Sequence, residues 1–93
     1  MNNKKIRYFR NKIDKLDEKI FHLIKERTKV VKHMLKLKKH KKQIVDHQRI
    51  DEVIRKIKKL SLRNKIDSKI TVRIWKSIIW SYVNFQRKNF KKK

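Results

Sequence analysis

The 93-residue chain contains no cysteine, glycine or proline, and its sequence shows no alanine either. These absences exclude a disulfide framework, a cysteine-ligated zinc site, a cysteine nucleophile and a glycine-rich phosphate loop, because each needs a residue type that the chain lacks. They also disfavour sheets with tight turns, which depend on glycine and proline. Helices are therefore the favoured elements.

Acidic residues are scarce: 8 aspartates and glutamates stand against 31 lysines and arginines, which gives a formal net charge of +23. A charge of this size is typical of proteins that bind a polyanion or an anionic membrane surface. The four missing residue types, however, all have GC-rich codons, whereas lysine, isoleucine and asparagine are abundant. AT-rich coding thus explains much of the excess, and the charge alone does not identify a partner.

Long hydrophobic runs are also missing. No apolar run reaches the ~18 residues that a membrane-spanning helix requires, and Met1 to Lys12 holds no signal-peptide core. The apolar fraction of 38% is nevertheless too high, and too regularly placed, for a disordered basic tail. We therefore expect a single helical domain over residues 1–93, located in the cytoplasm and without a membrane partner.

Apolar residues follow a heptad pattern in the first part of the chain. The two sets are Ile6, Ile13, Ile20 and Met34, and Phe9, Leu16, Leu23, Val30 and Leu37. The pattern predicts one helix from Lys5 to about Lys39, with ~35 residues and a length of ~50 Å. Such a helix cannot bury its own apolar stripe, so we expect a second copy of the chain to cover it in an interlocked homodimer.

The remainder of the chain predicts a loop and two shorter helices. Lys38 to Gln43 is a polar, basic run typical of a loop, and Asp46 is a good N-cap for a second helix. That helix is expected to fray near Ser61 to Asn64. Asp67 or Ser68 can cap a third helix that continues past Gln86. The predicted fold class is all-α, a three-helix protomer, with Asn89 to Lys93 in solvent.

Four polar side chains do not fit a plain helical bundle. Arg27 takes a position in the heptad seam, where a guanidinium is costly unless it meets an anion. Lys38 returns to nearly the same face, roughly 16 Å further along the helix. Gln86 continues an apolar stripe of the third helix, and Arg49 stands at the start of the second, where the helix dipole disfavours a cation. An anion bound among them would remove these conflicts, although ion pairs and snorkelling explain each residue taken singly.

Parts of the sequence are compatible with two other kinds of site. Trp75 and Trp80, with the high charge, favour a basic helical protein that binds nucleic acid. They lie five positions apart, however, and a core or interface role explains each better than base stacking. Metal binding would have to use the four histidines, His22, His33, His40 and His47. No cysteine or clustered carboxylate completes a ligand set, so we predict no metal.

Three segments resemble motifs of the all-helical chorismate mutases: Phe9–Ile20 resembles the LRxxIDxLDxxI opening, Asp46–Arg49 the DxxR segment, and Ile78-Ile79 with Gln86 the closing motif. Arg27 and Lys38 follow the opening at the family's spacing. The resemblance extends from about Ile6 to Phe90. No single motif is specific, but their combination is.

The resemblance implies an intertwined dimer with two active sites that use no cofactor. The substrate would be a small dianion, chorismate, which is rearranged to prephenate. Arg10 would reach in from the partner's long helix and clamp the substrate's carboxylates together with Arg27. Lys38 and Gln86 would contact the ether oxygen, and Arg49 would help to close the site.

Two positions depart from the usual mutase pattern. Ile50 stands where many mutases carry a glutamate that binds the ring hydroxyl, and Tyr82 stands where many carry a serine. Both residues resemble the isochorismate pyruvate-lyase branch of the family, which forms salicylate and pyruvate, whereas Asp46 resembles the mutases. We therefore place Asp46, Ile50 and Tyr82 among the substrate-binding residues. The first prediction is a chorismate mutase and the alternative is an isochorismate pyruvate-lyase.

Overall fold

The computed structural model describes residues 2–91, and every regular element in that range is helical. Its α-helices are α1 at Asn3–Leu37, α2 at His47–Arg63 and α3 at Ser68–Asn89. A 3₁₀ turn at Lys41–Gln43 lies between α1 and α2. The predicted all-α class, with a long first helix followed by two shorter ones, is confirmed.

The chain divides into two compact units, and the first consists of α1 up to His33. No residue of α1 is buried. Its apolar stripe is open to solvent in the single chain, since Ile6 is 37% exposed and Leu23 is 63% exposed. The helix begins and ends two residues earlier than the heptad pattern predicted, at Asn3 and Leu37.

The second unit begins at Met34 and contains the last turn of α1, the 3₁₀ turn, α2 and α3. In this unit α2 packs against α3. The buried apolar residues among those described are Ile44, Ile54, Ile57 and Val83. Ile44 precedes α2 and anchors the end of the loop, so the core also fixes the segment that leads from α1 to α2.

A pair of hydroxyl groups connects α2 to α3. The hydroxyl of Ser61, a residue only 3% exposed, donates to the carbonyl of Ile57 at 2.7 Å and is hydrogen-bonded to Thr71 Oγ1 at 2.6 Å. α2 ends at Arg63, with Asn64 as its C-cap, which lies within the predicted range of Ser61 to Asn64. A buried serine is stable here because both of its bonds are made within the protein.

The helix ends follow ordinary capping chemistry. Asp46 Oδ1 accepts the N–H of Arg49 at 3.0 Å, and Asp67 Oδ1 accepts the N–H of Lys69 at 2.9 Å, so aspartate is the N-cap of both α2 and α3. The turn after α2 places Lys65 at φ 55°, the left-handed region that favours glycine. Because the chain has no glycine, a lysine takes this conformation at a cost of roughly 1–2 kcal/mol.

The third helix presents different environments along its length. Trp75 is half-buried, whereas Trp80 is 38% exposed, as expected for residues that cannot share one stripe. At its end Asn89 is exposed but Phe90 is half-buried, so the prediction of a fully solvated tail was wrong at Phe90. The last part of that predicted tail, Lys92 and Lys93, lies outside the described residues.

Within residues 2–91 no helix is both long and apolar enough to cross a membrane.

Candidate active site

The second unit brings Lys38 and Gln86 into direct contact, although 48 positions separate them in the sequence. Lys38 is the first residue after α1, and its N–H still donates to the carbonyl of Leu35 at 3.2 Å. Its side chain reaches Gln86 on α3, where Nζ donates to Oε1 at 2.6 Å. The predicted cation and the predicted carboxamide therefore lie at one place.

The carboxamide of Gln86 is fixed at both of its polar atoms. Gln86 is only 7% exposed. Its Oε1 accepts from Lys38, and its Nε2 donates to the carbonyl of Tyr82, one turn earlier in α3, at 3.2 Å. A glutamine on the apolar face of a helix is thus satisfied, and its orientation is defined by two hydrogen bonds.

Lys38 stands in an unusual electrostatic environment. Burial lowers the pKa of Lys38 from its ordinary value of 10.5, and the negative charge of Asp46 acts in the opposite direction. Partial dehydration of an ammonium group strengthens its attraction to any nearby negative charge, because the local dielectric constant is lower than that of water. Lys38 therefore presents a partly dehydrated ammonium group directly beside Gln86.

The start of α2 carries three of the predicted site residues. Asp46 caps the helix, and the N–H of Ile50 donates to the Asp46 carbonyl at 3.0 Å. The Ile50 side chain is half-buried. The Arg49 side chain is 69% exposed and lies 3.8 Å from the carboxylate of Glu52. Arg49 is thus available to a ligand from solvent, since an exposed ion pair of this kind is weak.

One residue of this region was missed by the sequence analysis. The side-chain oxygen of Gln43 accepts the N–H groups of Lys39 at 2.8 Å and of His40 at 2.9 Å. In the sequence, Gln43 is merely the end of a polar run. In a capping box, the side chain of a glutamine or glutamate three residues after the N-cap accepts the backbone N–H of the N-cap residue. Gln43 lies three residues after His40, and this spacing was the signal available in the sequence.

The two remaining predicted site residues lie on α1 within the first unit. Arg10 is exposed and Arg27 is half-buried. They are 17 positions apart, or roughly 25 Å along a straight helix. The participation of Arg10 and Arg27 in one site with Lys38 and Gln86 stays a prediction.

Among the described residues there is no cluster of histidine, aspartate or glutamate side chains suited to a metal ion.

The fold defines the class of this protein: it is an all-α protein whose long first helix is followed by two shorter helices that pack against each other. Residues 9–87 match the sequence model of the family described as chorismate mutase type II. The chain belongs to this family, as the resemblance of its motifs indicated. No curated protein and no solved structure gives a significant match.

Proposed function

We propose that this protein is a chorismate mutase that converts chorismate into prephenate, a step in the synthesis of aromatic amino acids. Membership of the family supports a mutase-type activity in general. The observation that carries the specific proposal is the hydrogen bond between Lys38 Nζ and Gln86 Oε1 at 2.6 Å. It joins the two side chains to which the resemblance assigns the ether oxygen of the substrate.

The reaction suits such a site because it needs neither a nucleophile nor a proton transfer. Chorismate rearranges in a single intramolecular step, and its C–O bond breaks before the new C–C bond is well formed. Negative charge therefore develops on the ether oxygen. The protein has to hold the substrate in its reactive shape and place donors where the charge appears.

Lys38 and Gln86 can supply these donors without losing their mutual bond. An ammonium group has three N–H bonds and a carboxamide has two. Lys38 uses one for Gln86, and Gln86 uses one for the Tyr82 carbonyl. In the proposal, a further N–H of each side chain donates to the ether oxygen. Because both groups are already oriented, little reorganisation is needed in the transition state.

The carboxylates of the substrate are assigned to Arg10 and Arg27, since a guanidinium group can bind a carboxylate through two parallel hydrogen bonds. Arg49 is proposed to close the site. In this assignment Arg10 comes from the partner of a homodimer. The open apolar stripe of α1, with Leu16 56% exposed and Leu23 63% exposed, supports such a partner, because burying it against a second copy is favourable.

A second candidate function is an isochorismate pyruvate-lyase, which would act in the same type of site. Two observations favour it. Ile50 places a half-buried apolar side chain at the start of α2, so this position offers no carboxylate to a ring hydroxyl. Tyr82 stands one turn before Gln86, where the lyase branch carries tyrosine. Because the two substrates differ in the position of the hydroxyl group, a change at this place alters specificity.

The test is to incubate the purified protein with chorismate and, separately, with isochorismate, and to identify the products. We expect prephenate from chorismate. Salicylate with pyruvate as the main products would favour the lyase, and the absence of turnover with both substrates would overturn the proposal.

Filter binding at rising salt concentration tests the alternative that the protein binds nucleic acid, for which a steep loss of binding is expected. A cytoplasmic location stays a prediction from the sequence.

A further inference from the structure

The backbone that follows Lys38 is held by a single side chain. Gln43 Oε1 accepts the N–H of Lys39 at 2.8 Å and the N–H of His40 at 2.9 Å. Consecutive N–H groups of this kind are satisfied inside a helix by carbonyls four residues earlier. Here α1 has already ended at Leu37, and the glutamine carbonyl takes the place of those acceptors.

The rest of the loop does not fix this point in the same way. The backbone bonds of the 3₁₀ turn join the N–H of Gln43 to the carbonyl of His40 at 3.0 Å, and the N–H of Ile44 to the carbonyl of Lys41 at 3.1 Å. Both bonds lie after Lys39. The loop also contains Lys38, Lys39, Lys41 and Lys42, whose like charges repel one another and favour a more open chain.

Gln43 connects this point to the core. Its neighbour Ile44 is 5% exposed and belongs to the buried apolar residues of the second unit. The peptide that follows Lys38 is therefore connected, through the exposed Gln43 side chain, to a segment that continues directly into the buried Ile44. This matters because a lysine side chain loses rotamer entropy when its ammonium group is held in one place.

We propose that Gln43 is a positioning residue for Lys38, because its side-chain carbonyl fixes the backbone from which Lys38 reaches Gln86. The inference rests on the proposed function, in which Lys38 stabilises the charge that develops on the substrate. Gln43 itself touches no reacting atom. Its contribution is to keep the Lys38 ammonium preorganised, so that the reaction does not have to order it.

Three variants isolate this contribution. Gln43→Met keeps the length of the side chain but removes the carbonyl acceptor. Gln43→Glu keeps an acceptor at the same distance from the backbone and is the conservative rescue. Gln48→Met makes the same change at an exposed glutamine in the first turn of α2, to which no role in the site is assigned.

The first measurement needs no substrate. Amide hydrogen exchange at Lys39 and His40 should accelerate by about tenfold or more in Gln43→Met and keep its wild-type rate in the other two variants. The ¹⁵N signal of the Lys38 ammonium group, identified with Lys38→Arg, should move to the range of the exposed lysines in Gln43→Met. A Lys38 signal that stays in place would overturn the proposal, whatever the activity of the protein.

The second measurement separates positioning from general loss of structure. With the preferred substrate, Gln43→Met should lower kcat about tenfold and change KM less than about twofold, because Lys38 acts on the transition state more than on the bound substrate. Gln43→Glu should recover most of the rate. An unchanged kcat in Gln43→Met refutes the proposal. If the wild-type protein converts neither substrate, the proposed function fails, and the Lys38 signal alone decides the role of Gln43.

Discussion

The carboxylate of Asp46 and the ammonium group of Lys38 are electrostatically coupled, since the charge of Asp46 raises a pKa that burial lowers. The same carboxylate caps α2 through the N–H of Arg49. One side chain thus stabilises the start of a helix and also helps to keep a partly dehydrated lysine in its charged form. These two effects can be separated, because asparagine caps helices as well as aspartate does.

The first prediction concerns this coupling. In the proposed mechanism Lys38 must be charged to stabilise the ether oxygen. Because kcat/KM reports ionisations of the free protein, kcat/KM should fall as the pH rises through a Lys38 pKa below the ordinary value of 10.5. Asp46→Asn removes the negative charge that raises this pKa, and the alkaline limb should therefore move to lower pH. Profiles of kcat/KM against pH for the wild-type protein and Asp46→Asn test this. A limb that moves to higher pH, or does not move, would contradict the coupling.

The second prediction concerns the donor itself. Lys38→Ala should lower kcat by about 100-fold or more, with a much smaller effect on KM, because a preorganised charge acts mainly on the transition state. Lys39→Ala is the matched control. It removes the exposed side chain of the lysine that follows Lys38, and the backbone N–H at position 39 can still donate to Gln43. Wild-type turnover in Lys38→Ala would remove Lys38 from the mechanism.

The third prediction concerns the partner's arginine. If Arg10 serves the site of the other protomer, Arg10→Ala and Lys38→Ala should each be nearly inactive, whereas their heterodimer contains one intact site. Random mixing of the two proteins after unfolding and refolding should then restore about a quarter of wild-type activity, because half of the dimers are mixed and each has one working site of two. If mixing restores no activity, Arg10 and Lys38 act within the same protomer.

The fourth prediction concerns the association of two highly charged copies. Each chain carries a net charge of +23, so two copies repel one another while their apolar stripes attract. Added salt screens the repulsion, and the dimer fraction in sedimentation equilibrium should therefore rise with sodium chloride concentration. Leu16→Glu, which places a charge in the stripe, should shift the protein to monomer. A dimer that dissociates as salt is added would be inconsistent with an apolar interface.

The fifth prediction concerns the choice between the two substrates. Ile50→Glu restores the carboxylate that many mutases carry at this position, so the ratio of kcat/KM for chorismate to that for isochorismate should rise by roughly tenfold or more. Ile50→Leu is the control, since it keeps an apolar side chain of the same volume. Product analysis with each substrate measures the ratio. No change in it would mean that Ile50 does not determine specificity.

Much of the fold could be predicted because it depends on local patterns. The heptad stripe predicted α1 to within two residues at each end, and the capping preference of aspartate predicted the start of α2 at Asp46. The α2–α3 turn was less predictable. Its left-handed residue is Lys65, and a sequence without glycine gives no signal for that conformation.

The sequence predicted candidate residues for the site, whose roles stay predictions, but it did not predict their geometry. Periodicity and family motifs indicated Lys38 and Gln86, but the bond between them depends on tertiary packing that no local pattern describes. The end of α1 at Leu37 is a similar case. The lysines that follow Leu37 have a good helix propensity and would allow α1 to continue. The N–H groups of Lys39 and His40 donate instead to the side chain of Gln43, a contact that exists only in the folded loop.

The hydrogen bond between the hydroxyl groups of Ser61 and Thr71 affects the position of Gln86, which lies much further along α3. The hydrogen bond between Ser61 and Thr71, at 2.6 Å and partly buried, depends on direction as well as distance, so it is more sensitive than an apolar contact to a rotation of one helix against the other. A screw displacement of α3 by a single residue would turn each of its side chains by about 100° around the helix axis. Gln86, about four turns downstream, would then face away from the lysine. The hydrogen bond between these two hydroxyl groups thus helps to hold the rotation of α3 at which Gln86 meets Lys38.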